Sequence, residues 1–142
     1  MRGFIVRLLF VLTLLATVTA SLAGCAAKPC TEQDPAFVKD VQGLMQEWQD
    51  ASTLAGSTPR ASLAVQIAEL QRIRRRTTDL DAPDCGKAAQ TALVTAMDNG
   101  IQGFTAFLSQ ATEADVQAKF ALAASAFTTA TEEIGKLSVV PK

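Results

Sequence analysis

The chain contains no histidine and no tyrosine, and a single tryptophan. Histidine is the commonest general base near neutral pH, the commonest metal ligand and the usual haem ligand. Its absence removes Ser/His/Asp and Cys/His catalytic sets. Cysteine is scarce, with three residues, and neither Cys-x-x-Cys nor Cys-x-x-Cys-His occurs. Thioredoxin-like redox chemistry and c-type haem attachment are therefore unsupported. No G-x-S-x-G is present, and no glycine-rich loop follows a strand pattern. An excess of one charge is also lacking: 13 basic and 14 acidic side chains give a net charge of −1. That balance is not the footprint of a nucleic-acid-binding domain. Segments of strand-like alternation are missing throughout. The expectations are no enzyme, no cofactor, no metal and no nucleic-acid partner.

What is present begins with Arg2 and Arg7 ahead of an apolar run over residues 8–20 (LLFVLTLLATVTA). The run is shorter than the ~20 residues a spanning helix needs, and suits a signal core. Ser21-Leu22-Ala23-Gly24-Cys25 follows. This stretch resembles the bacterial lipobox at every position. The resemblance implies a diacylglycerol, with palmitate-type chains, on the Cys25 sulfur and cleavage between Gly24 and Cys25. It also implies a lipid anchor at the cell membrane or outer membrane, on the extracytoplasmic side. An ordinary secretory signal with an incidental Cys25 is the alternative. Residues 1–24 are then the signal peptide, 25–33 the lipidated cysteine with a short tether, and 34–139 the folded part. No later segment is long and apolar enough to cross a bilayer.

Four helical stripes follow. Asp34-Pro35 reads as an N-cap with proline at the first helical position. Phe37, Val41, Leu44, Trp48, Ala51 and Ala55 recur at steps of four and three up to Gly56, a natural left-handed stop. Thr58-Pro59 repeats the start signal for a second helix carrying Leu63, Ile67, Leu70, Ile73, Thr77 and Leu80, which stops before Ala82-Pro83. Asp84 is the expected cap of a third helix with Ala89, Leu93, Met97 (or Ala96), Gly100, Phe104, Phe107 and Ala111 on its stripe. Gly100 and Gly103 inside it predict either close approach of a neighbour or a kink. Thr112 and Asp115 form a capping pair for the fourth helix, with Val116, Phe120, Ala123, Phe127, Ala130, Ile134 and Leu137 on its stripe and Gly135 near its end. Short connections between stripes of similar length predict an all-α, up-down-up-down four-helix bundle.

With Cys25 assigned to lipid by the resemblance, Cys30 and Cys85 remain as a pair. The bundle topology places the start of the first helix and the turn between the second and third at the same end, so the fold supports the same disulfide. A tether of a few residues would hold that end near the membrane.

The remaining constellations each have two readings. Arg72, Arg74, Arg75 and Arg76 are a candidate contact for anionic lipid head groups. Acidic residues at helical spacing (Glu69–Arg72, Arg75–Asp79, Arg76–Asp79) favour ordinary helix chemistry instead. Glu47, Asp50 and Asp98 form a carboxylate cluster only if the first and third helices face each other. Glu132-Glu133 lacks the histidine partners of a diiron bundle. Met45, Met97 and Trp48 either line an apolar ligand site or belong to the core. Arg60 has no evident helper.

Beyond the lipobox, Trp48, Asp50, Thr58-Pro59-Arg60, Leu70, Ile73-Arg74-Arg75, Pro83, Cys85 and the segment 101–108 resemble the pattern of small helical lipoproteins of bacteria. That group has no assigned activity, so the resemblance implies location and architecture only. The functional expectation is a membrane-anchored, non-enzymatic interaction module of the cell envelope with an envelope protein as candidate partner. The alternative is a carrier for an apolar ligand or lipid in the bundle core.

Overall fold

The computed structural model describes residues 29–138. The proposed signal, Cys25, the first part of the tether and the final Val139-Val140-Pro141-Lys142 lie outside the described residues. Among the described residues, five helices follow in order: α1 (Cys30–Gln33), α2 (Pro35–Ser57), α3 (Leu63–Thr78), α4 (Lys87–Leu108) and α5 (Glu113–Lys136). The same residues contain no strand. The four long helices α2–α5 run alternately up and down, and each packs on its neighbour in sequence. This is the predicted all-α bundle.

The helix boundaries follow local chemistry, with several departures from expectation. Asp34 Oδ1 accepts from the Phe37 amide at 2.9 Å, and Pro35 occupies the first turn of α2. Thr112 Oγ1 accepts from the Asp115 amide at 3.2 Å and donates to the Asp115 carboxylate at 2.7 Å. Gly56, by contrast, lies inside α2 and is not left-handed; no described glycine has positive φ. The stop is Thr58, held extended (φ −83°, ψ 131°) because the following proline disfavours the helical region. A 3-10 turn at Arg60–Ser62 then delays the start of α3. Asp84 does not cap α4. The residue before the helix is Gly86, and Asp84 instead pairs with Lys87 Nζ at 2.6 Å. That ion pair holds the Asp84 carboxyl below its ordinary value, chiefly through the hydrogen bond from Lys87. Gly135 lies within α5.

Helix α4 ends at Leu108, short of the expected Ala111. Gln110 turns left-handed (φ 59°), and the Ala111 amide bonds back to the Ala106 carbonyl at 3.0 Å. That is a Schellman-type stop with glutamine where glycine or asparagine is usual. Phe107 consequently lies at the end of the helix, 37% exposed, rather than in the core. The Arg60 guanidinium sits 4.4 Å above its ring, a cation–π contact between helix ends that the sequence did not identify.

The core is continuous from one end of the bundle to the other. Val41, Leu63, Leu70, Ile73, Leu93 and Met97 are essentially closed to solvent. Among the described residues Thr77 is the one buried polar side chain; its hydroxyl donates to the Ile73 carbonyl and lies against Met97 Sδ at 3.5 Å. Gln90 finishes α3 from a neighbouring helix. Its amide nitrogen donates to the carbonyls of Thr77, Thr78 and Leu80 at 2.9, 3.2 and 2.8 Å. A helix end leaves such carbonyls without internal partners. Replacing Gln90 by Leu is expected to cost about 1–2 kcal/mol in urea unfolding, because the α3 terminus then loses these donors. Gln90→Glu is expected to cost more near neutral pH, since a carboxylate there faces three carbonyl oxygens at the negative end of the helix.

Cys30 and Cys85 form a disulfide with Cα atoms 5.6 Å apart. Residues 30–33, expected to be tether, form a helical turn with Cys30 buried, and the Thr31 amide donates to the Leu137 carbonyl at 3.1 Å. The start of α2, the α3–α4 turn and the end of α5 therefore meet at one end, the disulfide end. Phe37 fills the space beside Gly86, where any Cβ would come within 2.2 Å of its ring. The Arg60–Phe107 contact marks the far end.

Candidate functional site

The four helices are not evenly spaced. The α4–α5 seam is the closest approach in the bundle, and the α2–α5 seam is the most open. Two glycines of α4 bear on this. A Cβ on Gly100 would lie 2.9 Å from Trp48 Cζ2, and one on Gly103 would lie 2.8 Å from Phe120 Cε1. Both positions are aromatic seats within an unbroken helix, which decides the question in favour of close approach rather than a kink. The rings of α2 and α5 thus sink toward α4 and leave a groove above them.

Two adjoining hollows of ≈440 and ≈320 Å³ make up this groove, and both are lined by Trp48, Ser52, Ala124 and Phe127. The floor is aromatic. Trp48 and Phe127 have ring centroids 5.8 Å apart, and Phe104 meets Phe120 edge-to-face at 5.1 Å. Trp48 is buried at 2% exposure, whereas Phe120 and Phe127 are half-buried and open to the groove. Met45 joins the wall. The rim carries the exposed Gln49 and a set of small hydroxylic residues. Ser52 and Thr53 donate to the Gln49 carbonyl at 3.0 and 2.8 Å, Thr128 to Ala124 at 3.1 Å, and Thr131 to Phe127 at 2.8 Å. Each hydroxyl thereby spends its proton on its own helix and leaves the rim undemanding toward an apolar guest. Glu132 is the ionisable lining residue and lies toward the disulfide end.

Of the residues weighed for an apolar site, Met45 and Trp48 meet here. Met97 does not; it is wholly buried against Thr77. The phenylalanines Phe104, Phe120 and Phe127, read from the sequence as plain core stripe, are the main addition. The signal that could have found them is the pair Gly100 and Gly103, which gives the rings somewhere to sink.

The arginine cluster is largely neutralised by its neighbours. Arg72 pairs with Glu69 at 2.5 Å, as its spacing predicts. The hydrogen bond from Arg72 holds the exposed Glu69 carboxyl below its ordinary value. Arg74 makes a bidentate pair with Asp98 of α4, both N–O distances being 2.9 Å, and this bond raises its pKa further. Arg76 reaches Glu47 of α2 rather than Asp79. Neither Arg75–Asp79 nor Arg76–Asp79 forms an ion pair. Arg75 is exposed and carries no ion pair among the described residues. Surface pairs of this kind contribute little to stability, and those of Arg74 and Arg76 bear mainly on register between α2, α3 and α4.

Glu47 and Asp98 are occupied by different arginines, and Asp50 accepts from Gln46 at 3.0 Å. The three carboxylates are not brought together, and no group of metal-ligating side chains occurs among the described residues. A third hollow, of ≈460 Å³ between α2 and α3, is lined by residues that include Lys39, Asp40, Glu47, Arg76 and Asp79. Its charges are of both signs and partly paired within it, so it presents no selective field.

Among the described residues no helix is long and apolar enough to cross a membrane. Comparison with protein-family models, curated proteins and solved structures finds no match to this chain.

Proposed function

We propose that the chain is a lipid-anchored, non-enzymatic binding module of the bacterial cell envelope, with the α2–α5 groove as its contact surface. The observation that carries this reading is the groove's aromatic floor, in which the half-buried Phe120 and Phe127 open to solvent over the buried Trp48 and Phe104. Ligand sites are typically concave and apolar, with volumes of about 300–1,000 Å³. The groove supports the carrier reading with a change of place: the apolar guest lies on the seam between helices and does not require the core to open. Anchoring rests on the lipobox at Leu22-Ala23-Gly24-Cys25, and the helical turn at Cys30–Gln33 shortens the tether.

Cell fractionation of a bacterial host tests the anchor. The full chain is expected in the membrane fraction, and Cys25→Ser in the soluble extracytoplasmic fraction. Equal membrane recovery of the two would overturn it. Pulldown from the same membranes, with the captured material analysed for protein and for lipid, separates a protein partner from an apolar ligand, and Ala124→Phe should abolish capture of either.

A further inference from the structure

The groove has a length, a direction and a polarity, and these specify its guest more narrowly than apolarity alone. We propose that it holds one unbranched acyl chain of a bilayer lipid, lying along the bundle axis with its polar head toward the disulfide end. This deepens the binding-module reading and depends on it for the source of lipid.

The lining on α5 runs from Phe120 to Glu132. Twelve helical steps make a trough of roughly 18 Å, with α2 as its other bank from Met45 to Thr53. A trough of that length between two helices suits a single extended hydrocarbon chain better than a compact or polycyclic body. Its floor of Trp48, Phe104, Phe120 and Phe127 has no ionisable group, and the rim hydroxyls already donate to helix carbonyls. A hydrocarbon can therefore cover the rim with little loss of hydrogen bonding to water.

Polarity runs the same way. Glu132 is the ionisable lining residue at the disulfide end of the trough; Lys136, one turn on, is paired with Glu133, which leaves Glu132 to favour an ammonium-bearing head. That end is also the end closest to the anchor. The Thr31–Leu137 hydrogen bond holds the first described residues against the last turn of α5, five residues beyond Glu132, or about 8 Å along the helix. From Pro29 back to Cys25 is four residues, which span at most ~14 Å. The mouth of the trough thus faces the same end of the bundle as the lipid anchor, about 8 Å of helix beyond the point where the tether is held.

Trp48 is the one tryptophan of the sequence and forms the trough floor, so the protein carries its own reporter. The experiment titrates purified full chain with lysophosphatidylethanolamine brominated at mid-chain, below its micelle concentration, and follows Trp48 emission. Bromine quenches on near contact. The expected result is saturable quenching by about twofold or more, relieved by the unbrominated lipid. Ala124→Phe, an exposed rim substitution that fills the trough, should raise the half-saturation concentration about tenfold, or about 1.4 kcal/mol. Thr128→Phe provides the same test should Ala124→Phe unfold. Unchanged Trp48 emission, or rim variants that titrate like the parent, would overturn the proposal. Binding by Cys25→Ser but not by the acylated chain would also overturn it, because the anchor's own acyl chain would then be the occupant. The titration of Cys25→Ser reads the groove without the anchor, so its failure is distinct from failure of the anchored reading, which fractionation decides.

Discussion

Loss of the Cys30–Cys85 disulfide is expected to lower the unfolding free energy by about 4 kcal/mol. The linked residues are 55 apart in sequence, and closing a loop of that size removes roughly this much conformational freedom from the unfolded chain. The same junction is held by other contacts, so the native arrangement should survive loss of the bond. Phe37 packs beside Gly86, and the Thr31 amide bonds to Leu137. For a domain near this size each kcal/mol moves the melting temperature by about 4–8 °C, so a fall of roughly 15–30 °C follows. Calorimetry of Cys30→Ala/Cys85→Ala against the oxidised parent measures it. A change below about 1 kcal/mol would show that the disulfide end is already fixed without the bond.

Trp48→Ala is expected to destabilise by about 3–5 kcal/mol, the range for removing a buried aromatic side chain. Trp48 is 2% exposed, seats its indole edge over Gly100 and packs on Phe127. No side chain on the α4 side can collapse into the space, because α4 presents glycine there. Urea unfolding followed by circular dichroism tests it. Phe107→Ala makes a useful contrast: Phe107 is 37% exposed and covered by the Arg60 guanidinium, so its loss should be much smaller. Equal losses would mean that the groove floor is not an integral part of the core.

These two expectations differ in how far the sequence alone reaches them. The pairing of Cys30 with Cys85 is legible in the sequence, because bundle topology and the lipidation of Cys25 that the lipobox resemblance implies point to the same bond. The four stripes are equally legible: a period of 3.6 is written in Phe37, Val41, Leu44 and Trp48 whatever they touch. Helix ends are less so. Gly56 looks like a stop, yet Pro59 decides where α2 ends by constraining Thr58. Gln110 takes a left-handed conformation that glutamine does not announce, and it ends α4 before Ala111. Asp84 looks like a cap but is drawn to Lys87. In each case two local signals compete, and the surrounding packing selects one.

The groove itself is the least legible feature. Periodicity assigns Phe120 and Phe127 to the inner face, and that face is where they are. It does not say that α5 lies tight on α4 and stands off from α2. That asymmetry arises from Gly100 and Gly103, whose missing side chains admit Trp48 and Phe120. The arginines show the same limit. Spacing within α3 identifies the Glu69–Arg72 pair, whereas the partners of Arg74 and Arg76 lie on other helices.

The proposed anchoring through Cys25 would join the leader, the disulfide end and the orientation of the groove. Mass spectrometry of the protein extracted from bacterial membranes tests it most directly. The expected result is a chain beginning at Cys25, heavier at that residue by a diacylglyceryl group, with a Cys30–Cys85 linked peptide in the non-reduced digest. A chain with an unmodified Cys25 thiol, or with Cys25 disulfide-bonded to Cys30 or Cys85, would contradict it.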